Sequence, residues 1–173
     1  MSRRSATLIA AVSALALTIP LGGASALAAK RHRINVHHSK LTWATINLCN
    51  TKAHPHTVGV RASMPGTGVR SERMLMSFRV QYRDAKGRWL FVPGLASPWR
   101  DVGSAAVRVR QSGFDFPFTR PPDGSPTLVR GAVRLEWRRH GRAVATVRIH
   151  TTAGHSPAAG ADPPGYSAGT CRL

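Results

Sequence analysis

Arginine alternates with apolar residues in the segments of the chain that best fit a β-strand. Successive side chains of a strand point to opposite faces, so arginines two residues apart share a face. If the strand over residues 73–83 and the final hairpin over residues 129–151 belong to one sheet, their outward arginines form one basic stripe. The members of this basic stripe are Arg79, Arg83, Arg130, Arg134, Arg138 and Arg148, interrupted by Glu136. The planar guanidinium fork matches carboxylate and phosphate groups, so the basic stripe predicts an anion-binding surface.

The overall charge balance has two explanations. The chain carries 25 Lys and Arg against 7 Asp and Glu, a formal net charge of +18. An anionic partner would account for it: a wall polymer, an acidic polysaccharide, lipid headgroups or extracellular DNA. GC-rich codon usage would also favour arginine over lysine, but it does not explain why acidic residues are so few. The alternative to a binding surface is a solvated sheet face, whose like charges are screened beyond about 8–10 Å in physiological salt.

The tryptophans bear on which anion is favoured. Trp137 continues a buried alternation and is predicted to lie in the core. Trp99, between Pro98 and Arg100, is predicted to cap the core, with stacking on a sugar ring as the alternative. No aromatic platform is expected to alternate with the arginines, so nucleic acid is the less favoured partner.

Two cysteines, Cys49 and Cys171, are predicted to form a disulfide, with two free thiols as the alternative. A bridge closing so long a loop would stabilise by up to about 5 kcal/mol in the chain-entropy model. It would tether the C-terminal tail to the start of the domain.

Histidines offer a second kind of chemistry. His54 and His56 flank Pro55, and with His37-His38, His150 and His155 they could bind copper or zinc through imidazole. The favoured interpretation is an ordinary surface loop with no metal and no cofactor, because no H-E-x-x-H or spaced Cys/His pattern occurs. A metal-binding protein is kept as an alternative.

Catalytic patterns are missing from the chain. It contains no G-x-S-x-G elbow and no S-x-x-K, and its seven acidic residues suggest no catalytic pair. We therefore expect a protein that is not an enzyme, with a secreted hydrolase as the remaining alternative.

The start of the chain predicts export. Basic Arg3 and Arg4, an apolar stretch over residues 6–21 and small residues up to Ala28 are typical of a signal peptide over residues 1–28. The protein is therefore expected to be secreted or associated with the cell envelope, with no transmembrane segment in the mature chain. Residues 29–40 are predicted to be a basic, His-rich flexible arm, and residues 152–173 a Gly- and Pro-rich tail.

Residues 41–151 show the period-two alternation of strands throughout. Strands are predicted over 41–49, 57–63, 73–83, 88–92 and 106–111, then over a segment carrying Phe114, Phe116 and Phe118, then in the final hairpin, with a loop at 121–126. Seven or eight short strands without an amphipathic helix favour one all-β antiparallel sandwich with a disulfide-tethered tail.

This pattern resembles immunoglobulin-like and fibronectin-type-III-like domains, although the two cysteines lie near the ends of the domain rather than across its sheets. The signal, the strand MLMSFRVQYRD and the ending GADPPGYSAGTC are also similar to hypothetical exported proteins of high-GC Gram-positive bacteria. Neither resemblance implies an activity or a catalytic residue. The function expected from the sequence is a non-catalytic module that binds anionic envelope or extracellular polymers.

Overall fold

A computed structural model describes residues 35–119 and 126–173. Within these ranges the protein is all-β, with nine strands in two antiparallel sheets. The strands are β1 Trp43–Cys49, β2 Thr57–Pro65, β3 Arg73–Arg83, β4 Trp89–Ala96, β5 Arg100–Ser104, β6 Val109–Pro117, β7 Leu128–Arg139, β8 Arg142–His150 and β9 Cys171–Arg172. The predicted signal peptide and residues 121–125 of the predicted loop lie outside the described residues.

The two sheets differ in width. The first sheet has the order β1-β2-β6, and the second has the order β4-β3-β7-β8. Two short strands extend the second sheet, because β5 lies beside the first half of β3 and β9 lies beside the first residues of β7. The prediction of an all-β antiparallel sandwich is confirmed.

The core lies between the sheets and is built by the alternating residues of β3 and β7. These are Met74, Met76, Phe78 and Val80 from β3 and Val129, Val133, Leu135 and Trp137 from β7, all buried. They meet the inward residues of β1 and β2, among them Ile46, Val60 and Met64. Trp137 is fully buried, as predicted, and its Nε1–H donates to the carbonyl of Pro65 at 2.9 Å.

The region between β4 and β7 differs from the prediction. One continuous strand, β6, covers 109–117 where two strands were expected, and β5 was not foreseen. The Ser112-Gly113 step stays in the strand because β6 runs close beside β2, where a Cβ on Gly113 would stand 2.6 Å from the carbonyl oxygen of Val60. The residues before β6 form a turn that bonds to the loop after β2, with Gly66 N–H donating to Arg108 at 3.0 Å.

A disulfide joins Cys49 at the end of β1 to Cys171 in β9, as predicted, with the Cα atoms 5.6 Å apart. The bridge is not the sole anchor of the tail. Ile46 and Ala168 exchange two backbone hydrogen bonds of 2.8 and 3.0 Å along the edge of β1. The tail is therefore paired with the sandwich along its length.

The tail also covers the outer face of the first sheet. The Asn47 side chain donates to the carbonyls of Ala159 and Gly160 at 3.2 and 2.7 Å. Thr45, Asn47 and Ser63 point away from the core and yet are buried. The outer face of the second sheet, by contrast, carries exposed side chains from β3, β7 and β8.

Residues before β1 take part in the packing. In the second half of the predicted arm over residues 29–40, Val36 is 5% exposed and joins the core. The Thr42 hydroxyl donates to the Val36 carbonyl at 3.1 Å.

Over the described part of the chain, no helix has the length and apolar character that spanning a membrane requires.

Candidate functional site

The structure places all six residues of the basic stripe on the second sheet. β3, β7 and β8 are neighbours, so the register sets Gln81 opposite Arg130. It also sets Ser77 opposite Arg134, and Arg134 opposite Arg148. Arg79, Arg83, Arg134 and Arg148 are exposed, and Arg130 and Arg138 are half-buried. The strand over residues 73–83 and the final hairpin therefore belong to one sheet, which the prediction of a shared basic face required.

Glu136 reduces the charge of the basic stripe. This carboxylate points outward by its place in β7 but is only 2% exposed, because it lies between two arginines. It forms an ion pair with Arg134 and accepts a hydrogen bond from Arg138 Nε at 2.6 Å. Within residues 35–119 and 126–173, the other four members of the basic stripe form no ion pair. They carry the charge left for an external anion.

Aromatic rings alternate with these arginines, which corrects two predictions. The Arg79 guanidinium carbon lies 3.6 Å from the centroid of the Phe91 ring, and that of Arg130 lies 4.3 Å from the Trp89 ring. Trp99 does not cap the core: it is 38% exposed, with Arg138 at 4.7 Å and Arg134 at 5.4 Å from its ring. The expectation that no aromatic platform accompanies the arginines is wrong.

The hairpin of β3 and β4 determines the positions of two of these rings, those of Trp89 and Phe91. Its turn is closed by a 2.9 Å bond from Asp84 N–H to the Arg88 carbonyl, with Gly87 at φ 78°. This turn sets Trp89 opposite Arg83 and Phe91 opposite Gln81, on the outer face. The alternation of Trp89 and Phe91 after a recognisable turn was the signal that could have found them.

The sequence around Trp99 contains no comparable alternation that could have predicted its position. The pairing of β3 with β4 shifts register between Gln81 and Arg79, and the chain then passes to β5, where Arg100 lies opposite Met76. Trp99 reaches the arginines of β7 only because of this irregularity, which alternation along the sequence does not reveal.

A groove of about 480 Å³ lies within the basic stripe. Its floor is formed by Ser77 and Ala132, whose side chains are short, and its aromatic walls by Phe91 and Trp99. Basic side chains surround it: Arg79, Arg134, Arg148 and His150.

His150, which lines the groove, contacts Arg130 of the basic stripe. Arg130 Nε donates to Gln81 Oε1 at 2.8 Å, and its Nη2 lies 3.5 Å from Nε2 of His150. Burial lowers the pKa of His150, and the charge of Arg130 lowers it further. Burial also lowers the pKa of Arg130. His150 therefore favours its neutral form more strongly than a free histidine does.

The other histidines within residues 35–119 and 126–173 form no common cluster. His54 and His56 are exposed in the loop before β2, and the backbone of His56 bonds the Asn50 side chain at 2.7 Å. His155 lies flat on Trp43, with ring centroids 4.8 Å apart and an interplanar angle of 6°. Among the described residues, no group of three or more His, Cys, Asp or Glu is placed to hold a metal ion.

The stability of the fold is expected to fall as the pH drops below about 6.5, the ordinary pKa of histidine. The pKa values of His150 and His155 are both lowered in the folded protein, in each case chiefly by burial. The unfolded chain therefore binds more protons in this window, and the stabilising neutral forms are lost as the pH falls. Melting temperatures at pH 7.5 and below 6 measure the effect.

His155→Phe provides the control, because it keeps a flat ring against Trp43 but cannot titrate. Its melting temperature should depend less on pH than that of the wild type. An equal pH dependence in both proteins would contradict the assignment to His155.

Comparison with known proteins adds no assignment: no family model matches the chain, and no curated protein matches it. The candidate site is therefore interpreted from its own geometry.

Proposed function

We propose that the protein is a non-catalytic, extracytoplasmic binding module that engages anionic envelope or extracellular polymers through the basic stripe. The observation that carries this proposal is the gathering of six arginines from three strands on one accessible sheet face. The opposite face of the sandwich is covered by the chain's own tail. Guanidinium groups in this arrangement suit repeated carboxylate or phosphate groups.

Two features support the extracytoplasmic part of the proposal. Residues 1–28 have the pattern of an export signal. The Cys49–Cys171 disulfide is of the kind that persists in oxidising compartments. The arrangement of a three-strand sheet facing the β4-β3-β7-β8 sheet supports the immunoglobulin/fibronectin-III-like assignment, which we include in the proposal.

A charge-reversal variant tests the proposed function. Arg79→Glu combined with Arg148→Glu should weaken binding to a linear polyanion, such as inorganic polyphosphate, by about tenfold or more, because it replaces two unpaired donors with repelling carboxylates. Calorimetry at about 0.15 M salt measures the dissociation constant, and binding should weaken further as salt is added.

The matched control is Arg108→Glu combined with Arg110→Glu. Both arginines are exposed; Arg108 directly precedes β6 of the first sheet, and Arg110 lies in it. Their reversal changes the net charge by the same amount as the reversal of Arg79 and Arg148. The control should bind within about twofold of the wild type. Equal weakening by both variants would mean that net charge alone acts and that the basic stripe is not a site.

A further inference from the structure

We propose that the groove holds an acidic sugar residue of a polysaccharide, with the sugar carboxylate between the arginines and the sugar ring over the short side chains of the floor. This inference rests on the proposed function, since it names the class of polymer that the basic stripe engages.

The size of the groove favours a unit that contains a ring. Its volume of about 480 Å³ falls in the range of roughly 300–1,000 Å³ in which pockets bury small organic ligands. The space exists because Ser77 and Ala132 occupy the centre of a face whose other positions hold long side chains. A lone phosphate group would leave most of this volume to water.

The charges around the groove suit one carboxylate with neighbouring hydroxyl groups. Arg79 on β3 and Arg148 on β8 border it from different strands, and neither forms an ion pair within the part of the chain that the structure describes. Arg134 is already held by Glu136, so it supplies donors without a full free charge. Guanidinium N–H groups donate to carboxylate and hydroxyl oxygens, and the Ser77 hydroxyl and His150 can complete the set.

The aromatic walls favour a sugar over a nucleobase. Phe91 is 42% exposed and Trp99 is 38% exposed, but each ring already has a guanidinium over one face. A nucleobase on a single strand gains its affinity by stacking on an open aromatic face. A sugar ring depends less on such stacking, because its hydroxyl groups take hydrogen bonds from the arginines.

Filling the groove without changing any charge tests the inference. Ala132→Leu places a larger apolar side chain on the floor and suits a strand at least as well as alanine. We expect it to weaken binding of an oligogalacturonate by about tenfold or more, and to leave inorganic polyphosphate of similar charge within about twofold. Calorimetry measures both ligands, and an unchanged melting temperature verifies the fold. Ser77→Val narrows the groove from β3 and should act in the same direction.

Each other result has a distinct meaning. If polyphosphate binds but Ala132→Leu and Ser77→Val leave the oligogalacturonate unaffected, the sugar assignment is wrong and the proposed function stands. If a single-stranded oligothymidylate binds more tightly than the oligogalacturonate and loses its binding in Ala132→Leu, the groove takes nucleic acid instead. If no polyanion binds, the proposed function itself is overturned.

Discussion

Replacing both cysteines with serine is expected to lower the free energy of unfolding by about 2–5 kcal/mol. The bridge joins residues 122 positions apart, so its loss frees the unfolded chain over most of the domain. It also removes the covalent hold on β9, which pairs with β7 through only two residue pairs. At about 3 °C per kcal/mol, the melting temperature should fall by about 6–15 °C.

Denaturant titration of the Cys49→Ser, Cys171→Ser protein measures this change directly. The wild type in the presence of a reductant provides the control and should match the double variant. If the free energies of unfolding of the oxidised wild type and the double variant agree within about 0.5 kcal/mol, the hydrogen bonds of the tail hold it without the bridge.

Trp137→Ala is expected to destabilise the protein by about 3–5 kcal/mol. Trp137 is fully buried between the sheets, and its indole N–H is bonded to the Pro65 carbonyl. Truncation leaves a large cavity and removes the partner of a buried carbonyl. The midpoint of denaturation should shift strongly while the slope of the transition stays the same.

Trp99→Ala is the matched control, since it removes the same side chain from the surface. Trp99 contributes ring contacts with Arg134 and Arg138, so a loss of about 1 kcal/mol or less is expected. Comparable losses in the two variants would contradict the division between core and surface argued for these tryptophans.

The faces of β3 and β7 could be predicted because each strand is long and strictly alternating. Arg73–Arg83 was predicted with its observed bounds, and every other residue of β7 from Val129 to Trp137 is buried. In a strand with one buried face and one exposed face, the period of two decides which side chains enter the core, and the identity of the neighbouring strand does not change this. The basic stripe followed from this local rule together with the pairing of β3 and β7.

What could not be predicted depends on distant contacts. Gly113 suggested a turn but lies where β6 runs close to the backbone of β2. Trp99 reaches the arginines through a register shift, and Glu136 is buried because two arginines cover it. The tail looked loose by composition, yet backbone groups along β1 and the Asn47 side chain hold it. Each case depends on a partner far away in the chain.

The position of the tail gives the order of synthesis a structural meaning. Leu173 exchanges two backbone hydrogen bonds with Thr127 just before β7. Side chains such as Thr45 and Asn47, present since the first strand, become enclosed only when the last segment arrives. A chain without residues 159–173 would leave these groups facing water. The first strand therefore acquires its full set of hydrogen bonds only after residues 113 and 123 positions later in the chain have joined it.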